Sequence, residues 1–324
     1  MSTFPDGLYE YGGVPVGMLA LQPRSVRWVY SDISAAPYNV ISTKGVQADR
    51  LHSSLQVAHD ATTSGRNDVV FITPETHTID TAVTWSNSNT HLVGMQPWRY
   101  ANGVKMTHTG TTSVNNFLNV TGSNNIFENL HIQYAVGTQA ANLTALKVTG
   151  DGNIFKNCWI EGPCDTSAGD LATMKLISLA GGNNTFDTCH IGGTWIARTG
   201  AASALVEYTN TTYEATFVDC TFNTWIGATT PCFIYVKTGK AQMMQYYRNC
   251  QFYSTSTNKS YTMGAALIFQ GDDATGQHHF DSQCQFYGVT YIVGAQVNPR
   301  LNTYCAIAGD TGGGATIGRA ITTA

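Results

Sequence analysis

The residues best suited to acid–base chemistry lie in one stretch, "GDDATGQHH", where Asp272 and Asp273 precede His278 and His279. Glycoside hydrolysis uses two carboxyl groups that flank the glycosidic bond, one as the acid and the other as base or nucleophile. Adjacent aspartates also form turns, because their side chains hydrogen-bond to the backbone of their own loop. We favour the turn, and the stretch remains the best catalytic candidate in the sequence.

Eight cysteines raise the question of disulfides or a metal site. Disulfide scaffolds are short and cysteine-dense, whereas this chain has 324 residues. No pair has the Cys-x-x-Cys spacing of a zinc site, and Cys189 and His190 would point to opposite faces of a strand. The sequence therefore predicts free thiols made in a reducing cytoplasm, with no metal and no other cofactor.

The composition narrows the range of partners. Charged residues make up only 12% of the chain, the formal net charge is −4, and no basic cluster is present. Nucleic-acid-binding surfaces need concentrated positive charge, so we expect no nucleic-acid partner. We also expect no membrane contact, since the N-terminus lacks the features of a signal peptide and no apolar run is long enough to cross a bilayer.

A repeat of 28 to 33 residues organises the chain. Its aromatic series is Phe127, Phe155, Phe186, Phe217, Tyr247 and Phe280. Its cysteine series follows three residues later, with one extra residue in the last repeat: Cys158, Cys189, Cys220, Cys250 and Cys284. The ring and the thiol are three residues apart, so in one straight strand they would point to opposite faces. A bend must therefore lie between them if both are to face the core. The small polar residue between them, such as Asn157, is the expected bend because Asn tolerates left-handed backbone angles.

Each repeat also holds a second short strand, such as "ALKVTG" at residues 145–150, and lacks the tight-turn signals of a hairpin. Both strands are satisfied if each repeat stacks on the one before it as a coil of a solenoid. The sequence therefore predicts an all-β solenoid whose core contains one column of rings and one column of unpaired thiols.

The position after each cysteine should face outward. In the first repeat Leu130 takes the place of the cysteine, and the position that follows is His131. The same position holds Trp159 and His190 in the next two repeats, so the three residues should form one column on the outer surface. Outward aromatic groups can stack on sugars or on a partner chain. We favour a solvated or subunit-facing stripe.

The ends of the solenoid need caps, because terminal coils expose backbone groups and apolar side chains. Leu51, Leu55 and Ala58 have the spacing of an amphipathic helix, so we expect a capping helix within residues 46–64. The β-solenoid should then span residues 65–300, followed by a glycine-rich segment at 301–324.

The helix, "DVVFITPETHTI", "THLVGM" and the N-x-F-x-N-C-x-I/F coils resemble the right-handed parallel β-helix proteins, which include pectate lyases, polygalacturonases and phage tailspikes. This resemblance covers about residues 65–290 and implies a single-stranded right-handed parallel β-helix. The segment "FPDGLYEYGGVPVG" resembles virion structural proteins of tailed bacteriophages, several of which carry a β-helix that decorates or cements the capsid.

The phage resemblance implies a non-catalytic homotrimer on the outer capsid surface, assembled in the bacterial cytoplasm. Residues 1–45 would form an extended arm that contacts the major capsid protein and the other subunits. The candidate contact residues of this arm are Phe4, Tyr9, Tyr11, Val14, Val16, Leu19, Leu21, Trp28 and Tyr30.

The alternative is a tailspike that binds or cleaves a host surface glycan. Against cleavage, the Gly-His-Gly and Arg-Ile-Lys signatures of polygalacturonases are absent. A pectate lyase would need a calcium cluster beside an arginine, whereas Arg198, Arg248 and Arg300 are scattered.

Overall fold

Short parallel β-strands joined by turns make up almost all of the described chain. The computed structural model describes residues 10–11, 14–15, 25–31, 46–97, 103–108, 115–134, 144–164, 168, 170–210, 214–237, 244–256, 261–270, 277–293, 300–303, 306–308 and 315–316. Each sequence repeat contributes one strand to each of three sheets, so successive repeats stack as coils. The predicted all-β parallel solenoid is confirmed, but a coil has three strands where the repeat pattern indicated two.

The three sheets are named here in the order in which a coil passes through them. Sheet I has eight strands: Val83–Trp85, Asn116–Val120, Thr144–Val148, Lys175–Leu179, Ala204–Tyr208, Cys232–Val236, Met263–Phe269 and Val289–Val293. Sheet II has eleven: Val26–Val29, Leu51–His52, Asp68–Ile72, Thr90–Gly94, Ile126–Glu128, Ile154–Lys156, Asn184–Asp187, Ala215–Val218, Met244–Arg248, Gln277–Phe280 and Arg300–Thr303. Sheet III has ten: Thr76–Thr78, Lys105–His108, His131–Tyr134, Trp159–Glu161, His190–Arg198, Thr221–Ile226, Gln251–Ser256, Gln285–Tyr287, Ala306–Ala308 and Ala315–Thr316.

The aromatic series forms a continuous column inside sheet II. Its six rings are buried and in register from Phe127 to Phe280. Neighbouring ring centroids lie 4.4–5.3 Å apart and the planes are within 12° of parallel. These distances are close to the spacing of neighbouring strands in a β-sheet. Each ring therefore stacks on the equivalent ring of the preceding coil.

The bend between ring and thiol lies at the predicted residue in the first five repeats, but not at Ser282 in the sixth. The backbone φ is 60° at Asn129, 48° at Asn157, 54° at Thr188, 53° at Asp219 and 50° at Asn249. This left-handed conformation turns the chain from sheet II into sheet III within one residue. It thereby lets ring and thiol point into the same core despite their opposite parity.

The cysteine series forms a second buried column beside the rings, and its five thiols are free. Each Sγ donates to the carbonyl oxygen of the ring residue one coil before, at 3.2–3.4 Å. Burial away from water raises the pKa of the Cys158 and Cys220 thiols. Cys158 and Cys220 are therefore protonated. At Cys189 and Cys250 burial acts in the same direction, but hydrogen bonds from the neighbouring thiols lower the pKa overall.

A ladder of asparagine side chains fills the turn between sheets I and II. Asn125, Asn153 and Asn184 are fully buried. The Oδ1 atom of Asn153 accepts the Asn125 backbone N–H at 3.0 Å, and Asn184 accepts that of Asn153 at 2.9 Å. The side chains thus satisfy turn N–H groups that have no strand partner.

The N-terminal cap is shorter than predicted. The helix, α1, spans Leu55–Asp60 and buries Leu55 and Ala58 in the solenoid core. Residues 46–64 are not one helix, because Ala48–Arg50 form a 3-10 turn and Leu51 pairs with Trp28 in sheet II. Without this pairing Val26–Val29 would be the edge of sheet II, and its need for a hydrogen-bonding neighbour overrides the helical pattern around Leu51.

The N-terminal arm is shorter than predicted. Residues 26–29 pair with Val69–Ile72, and Trp28 is buried against Phe71 with ring centroids 4.9 Å apart. The Tyr30 N–H donates to the His52 carbonyl, so Trp28 and Tyr30 belong to the solenoid.

The rest of the arm is described only in part. Glu10–Tyr11 pairs with Val14–Pro15 in a small antiparallel ladder that contains Tyr11 and Val14. The other arm candidates lie outside the described residues: Phe4, Tyr9, Val16, Leu19 and Leu21.

The C-terminal segment continues the solenoid. Arg300–Thr303 extends sheet II, and Ala306–Ala308 extends sheet III and pairs antiparallel with Ala315–Thr316. The solenoid therefore runs past the predicted boundary at residue 300. No helix among the described residues is both long and apolar enough to span a membrane.

Candidate functional site: a lysine-lined groove

A groove of about 620 Å³ crosses several coils on the outer face of sheet I. Its floor includes the column Lys147, Ser178, Glu207 and Tyr235, which are direct neighbours in register. One wall is formed by the loops that enter the strands at Lys175 and Ala204, and Lys237 lines the other side. Stacking of the coils thus brings together residues that lie about ninety positions apart in sequence.

Lys175 is the most unusual group in the groove. The side chain is buried, and its Nζ donates to the carbonyl oxygens of Ala172 (2.9 Å) and Ala202. The ammonium lies 4.8 Å from the centroid of the Tyr235 ring. Burial lowers the pKa of Lys175 to about 8, so this amine gives up its proton closer to neutral pH than an exposed lysine does.

The charge of the groove is positive. Glu207 is buried, pairs with Lys237 at 3.5 Å and also attracts the Lys175 ammonium, and it is the only carboxylate among the described lining residues. Three lysines thus oppose one glutamate. This arrangement suits an anionic ligand that lies along the solenoid axis.

Arg198 supports the wall of the groove from inside the fold. Its Nη1 donates to the Ser203 hydroxyl (2.6 Å) and to the Ala204 carbonyl (3.1 Å), which fixes the loop that enters the strand at Ala204. Burial lowers the pKa of Arg198 to about 10. Arg248 lies apart from it, beside the Tyr246 ring at 5.4 Å.

The predicted acid–histidine cluster does not form as a surface site. His278 is buried in the core, where its ring stacks on Tyr247 at 6.0 Å, and burial lowers its pKa to about 3. His279 follows it on the same strand and faces Tyr246 at 6.0 Å. Successive residues of a strand point to opposite faces, so the two imidazoles cannot act together. Asp272 and Asp273 lie outside the described residues.

The predicted column His131, Trp159 and His190 is in register, but its first member is not exposed. His131 is only 8% exposed because its ring is stacked on Trp159 at 4.1 Å and its Nε2 bonds to Glu161 at 2.8 Å. Trp159 contacts His190 edge-on at 5.5 Å. The expectation of a fully outward stripe is therefore wrong at His131.

Comparison with known proteins identifies the architecture. No protein-family model matches the chain, and no curated protein matches it in sequence. Pectin methylesterase PemA from Erwinia chrysanthemi is similar in structure, with a TM-score of 0.56 and 13% identity over 87% of this chain and 93% of that one. Pectate lyase Pel9A gives a TM-score of 0.58 and 13% identity over 89% of this chain and 76% of that one. The fold is the parallel β-helix.

At these identities the likeness concerns the β-helix fold alone. The repeat does not predict the groove, because the repeat is defined by the spacing of aromatic residues and cysteines, whereas the groove is built from residues that differ from coil to coil. A signal was present in the outward positions of the first strand of each repeat. Lys147, Ser178, Glu207 and Tyr235 occupy equivalent places in "ALKVTG", "LISLAG", "LVEYTN" and "FIYVKTG".

Proposed function

We propose that this chain is a non-catalytic structural protein of a bacteriophage virion, bound to the outer capsid surface as a decoration or cement protein. The observation that supports this most is the unbroken stacking of the β-helix. The rings repeat in every coil from Phe127 to Phe280, the thiols in every coil from Cys158 to Cys284, and the buried asparagines in the three successive coils of Asn125, Asn153 and Asn184.

Rigidity is the property that such a protein needs. The pressure of a packaged genome pushes neighbouring capsomers apart, and a stiff clamp resists that movement better than a flexible loop does. In this β-helix every coil is hydrogen-bonded to the next in three sheets, so bending would break many bonds at once. A homotrimer would present three equivalent contacts to the major capsid protein.

The proposed attachment segment is the part of the chain before the first solenoid strand at Val26–Val29. Within the described residues, Glu10–Tyr11 and Val14–Pro15 pair with each other and with no strand of the three sheets. Deleting residues 2–20 should therefore leave a folded β-helix that no longer sediments with capsids. Attachment of the shortened chain would show that the arm is not the docking segment.

The decisive measurement is quantitative mass spectrometry of purified virions of the phage that encodes the chain. A decoration protein should be present in numbers comparable with the major capsid protein. A copy number typical of a tail fibre, far below that of the capsid protein, would replace the decoration role with a receptor-binding one. Absence from the particle would overturn both virion roles.

The second candidate function is a receptor-binding or glycan-cleaving β-helix, and the lysine-lined groove favours it. Lys147→Met should then weaken binding of an anionic polysaccharide, such as polygalacturonate, by about tenfold, because one charged contact is lost. Lys156→Met, which removes a half-buried lysine from sheet II, is the matched control. Equal binding by all three proteins would exclude the groove, and release of reducing ends would reveal cleavage.

A further inference from the structure

A bulge in sheet III presents a tryptophan to solvent. The register of His190–Arg198 against Thr221–Ile226 shifts between Gly193 and Arg198, so residues 194–197 form a bulge within this strand. Gly192 starts the bulge at a φ of 115°, where a Cβ would lie 1.8 Å from the Asn223 carbonyl oxygen. Trp195, within the bulge, is 69% exposed, more than any other large hydrophobic side chain in the described chain. The bulge therefore requires glycine and holds an indole outside the fold.

A buried carboxylate lies directly beneath this bulge. Glu161 is 1% exposed, and a Cβ built at Gly193 would be 3.3 Å from its Cγ. The Oε2 atom of Glu161 accepts hydrogen bonds from His131 Nε2 at 2.8 Å and Gln133 Nε2 at 2.7 Å. The Thr107 hydroxyl in turn donates to Gln133 Oε1 at 3.1 Å, which orients the amide. Two coils therefore hold one carboxylate oxygen in place.

The second carboxylate oxygen is left unsatisfied. Glu161 Oε1 is buried and has no hydrogen-bond partner among the described residues. Burial by itself would raise the pKa of Glu161, but the hydrogen bonds from His131 and Gln133 lower it overall, with a smaller contribution from the Trp195 indole. The side chain is therefore ionised, and a buried ionised oxygen without a donor is costly. A ligand hydroxyl would remove that cost.

We propose that Trp195 and Glu161 form a subsite for one sugar ring of a neutral glycan. The C–H face of the ring packs on the exposed indole, and one hydroxyl donates to Glu161 Oε1. The indole also interacts with Glu161, so binding requires it to turn aside far enough for the hydroxyl to reach that oxygen.

Local charge favours a neutral ligand over a charged one. An anion would meet the carboxylate of Glu161. A cation would meet Lys105, which occupies the register position next to His131 in the neighbouring coil. A polyol avoids both conflicts and supplies the hydroxyl donors that the carboxylate lacks. The subsite lies on sheet III, whereas the lysine-lined groove lies on sheet I, and it does not depend on a virion role.

The test is a titration of intrinsic tryptophan fluorescence with maltohexaose, cellohexaose, xylohexaose and mannohexaose, with hexagalacturonate as the anionic comparison. At least one neutral oligosaccharide should produce a saturable change. Trp195→Ala should weaken its binding by about tenfold or more, because the stacking surface is removed. Glu161→Gln should weaken it by about tenfold, since a charged acceptor becomes neutral. Tyr291→Ala removes an exposed aromatic ring from sheet I and should bind like the wild type.

Two results would overturn the proposal. One is that none of the four neutral oligosaccharides binds to the wild-type chain. The other is that Trp195→Ala binds the same oligosaccharide with unchanged affinity. Melting temperatures of both variants within a few degrees of the wild type would show that lost binding is not lost folding. Binding of hexagalacturonate alone, retained in Trp195→Ala, would place the ligand in the lysine-lined groove and count against this subsite.

Discussion

Single residues decide how the turns of this β-helix satisfy their backbone. The turn between sheets I and II leaves an N–H group in each coil that points away from any strand. Asn125, Asn153 and Asn184 each bring a side-chain oxygen to such a group: the Thr90 N–H for Asn125, and the N–H of the preceding asparagine for the other two. The asparagine side chain is suited to this place because its amide oxygen accepts a hydrogen bond from the backbone N–H. The side chain is also long enough to reach that N–H in the neighbouring coil.

Replacing the middle asparagine should destabilise the whole stack. Asn153→Ala leaves the Asn125 N–H buried without an acceptor, which costs about 1–3 kcal/mol. The measurement is the midpoint and slope of urea unfolding followed by circular dichroism. Thr121→Ala, at an exposed position in the preceding coil, should change the unfolding free energy by less than about 0.5 kcal/mol. If the two variants unfold alike, the ladder contributes nothing to stability.

The one-residue bend is the element that closes each coil between sheets II and III. Four of the five left-handed bends are Asn or Asp, which tolerate this conformation, but the third is Thr188. A β-branched residue in the left-handed region is strained because its Cβ substituents crowd the backbone. Thr188 is therefore a weak point in an otherwise regular column.

Thr188→Asn should raise the unfolding free energy by about 1 kcal/mol, because it relieves this strain. The new amide would also lie beside Asn157, whose own Nδ2 donates to Asn129 Oδ1 at 2.6 Å. Thermal unfolding should report the gain as a higher melting temperature. The reverse change, Asn157→Thr, should lower it. Thr185→Asn, at a sheet II position without left-handed φ, serves as control and should not stabilise the chain. A lower melting temperature for Thr188→Asn would refute the strain argument.

The bends show which elements the sequence could predict. The parity of ring and thiol required a bend at Asn157, and that argument needed nothing outside one repeat. The strand at Trp28 was not predictable in this way, because it has no repeat partner and forms by pairing with Phe71 on one side and Leu51 on the other. Lys175 was missed for a related reason. Its burial depends on a loop of the next coil as well as on the loop before its own strand, so no local pattern around it signals a groove.

Across the whole molecule, the β-helix buries neutral histidines at both of its ends. His91 lies in the first coils and His278 in the last ones, and burial lowers their pKa values to about 4 and about 3. In the unfolded chain both return to about 6.5. The unfolded state therefore binds more protons than the folded state whenever the pH lies between these values. The contribution of these two neutral histidines to the free energy of unfolding is fully present above about pH 6.5 and is lost as the pH falls toward 4.

Acid should therefore destabilise the β-helix through His278, and removing this imidazole should reduce the effect. At pH 5 the loss is about 2 kcal/mol for a histidine whose folded pKa lies well below that pH. His278→Phe keeps a ring between Tyr208 and Tyr247 without a titratable group. Its unfolding free energy should change less between pH 7 and pH 5 than that of the wild type, by about that amount. His279→Phe, which makes the same substitution on the opposite face of the same strand, serves as the matched control. An identical pH dependence in His278→Phe and the wild type would mean that protonation of this buried imidazole does not control the acid stability of the solenoid.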